Sequence, residues 1–229
     1  MISQTQTGSH LTQSPSRFYT PEVYLRKLEN ISNDENWPFT KSIFRAAREA
    51  TPHIKLLSPS EVIIPVPSFL ETANMTGPQC TLEALWDIMP LPNGIYKKSR
   101  HAVRNIHAVK LAPDIEYIPG IRWVLIDTAA YNGISATTLW DSDGSKYLGG
   151  SEILTLAILQ DDWIDCWDGA EYHFQCLSAY IYDDPFDPSH RGTMAMCFCR
   201  GDDTGRLHIG LVSPDLGIDG WSSSTVGKW

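Results

Sequence analysis

The sequence predicts an α+β domain in which several helices cover an antiparallel sheet, and three observations carry that expectation. Between Glu171 and Val212, three apolar runs with strand chemistry follow one another between turn signals, which reads as a meander. A further apolar run over 121–127, centred on Trp123, reads as another strand of the same sheet. Helix starts recur at Thr20, Thr40, Thr81 and Ser151, each a hydroxyl residue ahead of apolar side chains at helical spacing.

Taken in order, residues 1–17 are rich in Ser, Thr, Gln and Gly and carry almost no large apolar side chain. They are expected to be a disordered tail ahead of a single domain over 18–213. Thr20-Pro21-Glu22 places a cap, a proline at the first helical position and an acid near the positive dipole end. A helix to about Ser32 follows, burying Tyr24, Leu28 and Ile31. Thr40 caps a second helix through Ile43, Phe44 and Ala47, which Thr51-Pro52 stops. Together the two are expected to form a helical hairpin extension over 18–52.

Ser58 to Pro67 changes character, because Val62, Ile63, Ile64 and Val66 are interrupted by Pro65 and Pro67. Proline donates no ladder bond, so the run must be an edge strand or an extended connector. Thr81 caps a helix with Leu82, Leu85, Trp86 and Met89 on one side. Residues 97–109 give the clearest amphipathic pattern: at 100° per residue, Lys97, Arg100, His101, Arg104 and His107 fall on one side of a helix and Ala102, Val103, Ile106 and Val109 on the other. After the strand at 121–127, residues 128–150 read as loop. Ser151 then caps a helix over 152–160 so apolar that it must be buried against the sheet.

In the meander, Tyr172–Tyr182 is aromatic and β-branched and ends at Asp183-Asp184-Pro185. Gly192–Arg200 is apolar at both parities, as an interior strand requires. Gly201-Asp202-Asp203-Thr204-Gly205 supplies turn chemistry, and the run to Val212 completes a hairpin. The Gly/Ser-rich stretch 214–229 is expected to be a flexible tail.

At 229 residues the chain can bury a sizeable core. It contains no apolar run of the roughly 18–20 residues that a membrane helix needs, and it begins without a secretory pattern. A cytoplasmic protein with no membrane partner is therefore expected. The five cysteines are odd in number and sparse, which points to reduced thiols rather than a disulfide framework.

Charge is unevenly placed on a chain of net charge −9. Between Trp140 and His190, eleven acids are opposed by Lys146 alone, which leaves the remainder close to neutral. The stretch Leu91–Lys110 has the reverse bias, holding Lys97, Lys98, Arg100, Arg104 and Lys110 with no acid. Such asymmetry steers a charged partner, although a protein can equally pair its own basic and acidic surfaces.

Four constellations have the residue types that chemistry needs. The stripe Lys97, Arg100, His101, Arg104 and His107 could hold anions. The acidity of the whole chain argues against nucleic acid, which the stripe nonetheless has the chemistry to bind. Asp161, Asp162, Asp165 and Asp168 surround Trp163 and Trp167, and carboxylates beside indoles are what a sugar site uses. Trp163 and Trp167 are also a helical step apart, as two core anchors would be.

Asp141–Glu152 resembles the calcium-binding EF-hand loop, with acids or hydroxyls at its first, third and fifth positions and Glu152 at the twelfth. It departs from that pattern at the sixth position, where Lys146 replaces the turn glycine. Asp183, Asp187 and His190 are further oxygen and nitrogen donors for a hard or transition cation. No cofactor is expected, a divalent cation being the one ligand these groups could take. Phosphate-cradling glycine loops, dinucleotide fingerprints and hydrolase elbows are absent from the sequence, which lowers the case for an enzyme without excluding one.

The leading expectation is a protein that acts by binding, its basic helix face at 97–107 and acidic surface at 141–187 meeting a protein or anionic ligand. The alternative is a hydrolase whose carboxylates between Asp161 and Asp187 do acid–base work, assisted by a divalent ion or acting on carbohydrate.

Overall fold

The structure is a computed structural model that describes residues 18–56, 58–68, 84–91, 97–100, 109–111, 120–128, 150–160, 162–163, 174–182, 186, 194–201, 206–212, 221–222 and 225–227. It is α+β, as the sequence predicts. The expected tail at 1–17 lies outside the described residues.

Helix α1 spans Pro21–Asp34 and buries Tyr24, Leu25, Leu28 and Ser32. It ends two residues later than its apolar stripe suggests because Asn36 adopts a left-handed φ of 53°. The Trp37 N–H then reaches the Ser32 carbonyl at 2.9 Å and the Asn36 N–H reaches Asn33 at 3.4 Å, satisfying carbonyls that the helix end leaves free. Helix α2, Lys41–Glu49, buries Phe44 and Ala47. Thr20 and Thr40 stand at the caps, but neither side chain makes a capping bond. Both helices contribute residues to the same core cluster as the sheets. Residues 84–88 form a short α3, with Leu85, Trp86 and Met89 buried.

The described strands are β1 (Glu61–Ser68), β2 (Lys97–Arg100), β3 (Val109–Leu111), β4 (Gly120–Asp127), β5 (Phe174–Tyr182), β6 (Met194–Gly201), β7 (Arg206–Val212), β8 (Trp221–Ser222) and β9 (Thr225–Gly227). The expected meander is present: β5, β6 and β7 pair antiparallel in sequence order. It belongs to a six-stranded sheet of order β2-β7-β6-β5-β3, with β8 also beside β5. Two of its pairings, β2 with β7 and β8 with β5, are parallel.

Strand β4 does not join the meander. It sits in a separate three-stranded sheet of order β1-β4-β9, because β1 takes one side over eight residue pairs and β9 part of the other. Among the described residues, strand β1, with its two prolines, is an edge strand, as expected. Its register is Pro65 opposite Trp123 and Pro67 opposite Ile121. Gly120 opens β4 at φ +126°, a backbone conformation that a side chain would strain.

Two corrections to the sequence reading follow. Lys97–Arg100 is extended, not helical, and residues 101–108 lie outside the described residues. Lys97, Lys98, Ser99 and Arg100 include no apolar side chain that could distinguish a helix period from a strand period. Pairing with Arg206–Ile209, more than 100 positions away, decides the matter. In the stretch expected to be a flexible tail, Trp221, Thr225 and Val226 are strand formers, and each lies in a short strand with a partner.

Helix α4, Gly150–Leu159, is buried from Ser151 to Leu159, as its composition demands. It packs on β1 of the small sheet and β5 of the large one. Successive β4 positions alternate between sheet faces. Arg122 bonds α4 and the Trp123 indole bonds α2, so the small sheet lies between those two helices.

Candidate functional site

Burial of α4 from Ser151 onward places Ser151, Glu152, Thr155 and the following Gln160 in the core, and the partly exposed Arg122 reaches in from β4 as a fifth polar group. Each needs a partner, since an unsatisfied buried polar group costs about 1–3 kcal/mol. All but Thr155 have one among the described residues, and these partners define two clusters, one at each end of the helix.

At the N-terminal end, the Arg122 guanidinium donates to Glu152, whose side chain is 3% exposed against 32% for Arg122. The Ser151 hydroxyl donates to the other Glu152 oxygen at 3.2 Å. Glu152 lies in the first helical turn, where the backbone dipole also favours a negative charge. Ser151 is within the helix rather than ahead of it, so it does not cap.

At the other end, α1 supplies the partners. The Tyr24 hydroxyl donates to Gln160 Oε1 at 2.6 Å and accepts from the Tyr19 N–H at 3.1 Å. Gln160 Nε2 donates to Asp162, and Lys27 Nζ donates to the Leu159 carbonyl at 2.8 Å. An ammonium at the C-terminal end of a helix meets both a free carbonyl and the negative end of the dipole. Lys27 also lies 4.5 Å from the centroid of the Tyr19 ring.

Of the sequence-predicted residues, Glu152 lies in the first of these clusters and Asp162 in the second. Lys97 and Arg100 stand on β2, the outermost strand of the large sheet among the described residues. Positions three apart on a strand belong to opposite faces, so the single basic stripe of the helix reading does not form there. His101, Arg104 and His107 lie outside the described residues. Of the acidic group, Asp162 is exposed and bonded to Gln160, beside a buried Trp163. Asp161, Asp165 and Asp168 lie outside the described residues, as do Asp141, Asp143, Asp183, Asp187 and His190.

Glu152 is held by Arg122 and Ser151. Among the described residues, no group of three His, Cys, Asp or Glu side chains could hold a metal ion. The chain matches no protein-family model, no curated protein and no solved structure. The residues themselves must therefore carry any functional reading.

Arg122, Gln160 and the Tyr24 hydroxyl escaped the sequence reading. Two signals were available: Arg122 is the one cation in an otherwise apolar strand, and Gln160 ends a helix with almost no polar face. Both clusters link elements to one another, and what they can do chemically is hold α4 against β4 and α1. Among the described residues, no helix is long and apolar enough to cross a membrane.

Proposed function

We propose that this chain acts by binding, with the basic stretch Leu91–Lys110 meeting a protein partner that presents an acidic surface. The observation that supports this reading is the segregation of charge. Five cations without an acid occupy 91–110 in a chain of net charge −9, and Lys97–Arg100 lies on an outermost strand among the described residues. An edge strand offers backbone groups for pairing, and cations beside it select an anionic partner. Lysines on an edge strand also serve to keep it from pairing with another sheet, so the experiment must separate the two roles.

The test titrates the full chain with a fluorescently labelled polyglutamate peptide and, separately, with a short single-stranded RNA, following anisotropy as salt is raised. Salt-dependent binding of the peptide that Arg100→Glu with Arg104→Glu abolishes supports the reading. Binding of RNA alone would replace the protein partner with nucleic acid. Silence of the unaltered chain towards both probes would overturn the proposal and leave the lysines as guards of the edge. The alternative of a carboxylate hydrolase gains no observation, because Asp162 is the one described carboxylate between Asp161 and Asp187, and it is exposed.

A further inference from the structure

The C-terminal residues run along both sheets. Trp221–Ser222 pairs in parallel with Phe174–Gln175 of β5, and Thr225–Gly227 pairs antiparallel with Leu125–Asp127 of β4. Residues 223 and 224 alone separate the two strands. We infer that Trp221–Ser222 and Thr225–Gly227 act as a releasable strap, one on the six-stranded sheet and the other on the three-stranded one, opening ahead of the β1–β4 pairing.

The direction of the β4 amides supports this. The Thr128 N–H donates to the Ser60 carbonyl at 3.0 Å, which continues the β1–β4 register by one pair. In an antiparallel ladder, alternate residues bond opposite neighbours. Even-numbered β4 residues therefore bond β1, and Leu125 and Asp127 bond β9 through Gly227 and Thr225. Val226 stands opposite Ile126 in the pair that exchanges no bonds. The strap thus holds β4 through two bonded pairs, whereas β1 holds it through four within the strand and a fifth between Ser60 and Thr128. A strand of three residues with so few bonds belongs to the low-stability end of local opening.

Native-state amide hydrogen exchange on the full chain tests the inference. In the unaltered protein, the Leu125 and Asp127 amides exchange faster than those of Val124 and Ile126, yet slower than free peptide. Thr225→Pro with Gly227→Pro removes both strap donors and speeds Leu125 and Asp127 by about tenfold or more, leaving Val124 and Ile126 unchanged. Val226→Pro, at a position whose N–H faces away from β4, changes Leu125 and Asp127 much less. Removing residues 221–229 reproduces the double variant.

Equal rates for odd and even β4 amides in the unaltered protein would overturn the strap, as would Val226→Pro matching the double variant. If the double variant fails to fold, the odd–even comparison in the unaltered protein still decides.

Discussion

Arg122 of β4 and Glu152 of α4, thirty positions apart, form an ion pair across the face of the small sheet, one partner a third exposed and the other almost wholly buried. Removing one member of such a pair strands the other in a poor solvent, which costs more than the pair contributes net. Because Arg122 retains some contact with water, the lower end of the usual range applies. Arg122→Met is expected to destabilise the fold by about 3 kcal/mol, measured by chemical denaturation. Arg122→Met with Glu152→Leu should recover most of that loss, since no charge is then stranded. A double variant as unstable as the single one would show that packing around α4, not charge, sets the cost.

Thr155 gives the opposite sign. Its hydroxyl is buried one turn beyond Glu152 and, among the described residues, it is the one buried side-chain polar atom without a hydrogen-bond partner. Valine keeps the shape and removes the orphaned oxygen. Thr155→Val should raise stability by about 1 kcal/mol in the same denaturation experiment. A loss instead would mean that the hydroxyl is satisfied in solution, by a water molecule or by the Ser151 carbonyl one turn back.

The far end of α4 depends on α1. Tyr24→Phe deletes the hydroxyl that joins the Tyr19 N–H to Gln160 while keeping the buried ring, so the change isolates the polar link. The expected loss is about 1–2 kcal/mol, because the Gln160 oxygen remains buried without its donor. Gln160→Leu combined with Tyr24→Phe should lose less than the two changes added separately, which a double-mutant cycle reads directly.

The parts of this fold that sequence alone conveys are those whose pattern is local. Tyr24 and Leu28 of the stripe on α1, the unbroken apolar run of α4 and the antiparallel pairing of β6 with β7 each announce themselves within a short stretch of sequence. Lys97–Arg100 does not, because four polar residues have no period, and its strand state comes from β7 far along the chain. Strands of two and three residues, such as β8 and β9, are shorter than any alternation that could reveal them. The same reasoning covers the polar clusters. Arg122 and Glu152 are each visible as odd residues in apolar surroundings, but their pairing exists only once β4 and α4 are packed together.

Pro65 and Pro67 offer a prediction that register makes specific. The bond between Thr128 and Ser60 places even-numbered β1 residues in the bonded pairs with β4, so the odd-numbered ones turn their backbone groups outward. Four outward N–H positions would then exist along β1: Glu61, Ile63, Pro65 and Pro67. The Glu61 N–H is taken by the Ser58 carbonyl at 3.1 Å, and the two prolines have no N–H to place. This matters because Ile63, Pro65 and Pro67 are buried although β1 is an edge strand among the described residues, so an outward donor there would be covered. Proline is thus the residue that lets this edge be buried at little polar cost. Pro65→Ala and Pro67→Ala should each destabilise by about 1–3 kcal/mol, above the roughly 0.4–1 kcal/mol expected from added freedom in the unfolded chain. An N-methylated alanine introduced at either position by semisynthesis should restore most of the difference, since it too lacks the donor. If alanine and N-methylalanine prove equally unstable, the rigidity of the proline ring rather than the missing hydrogen is what the edge requires.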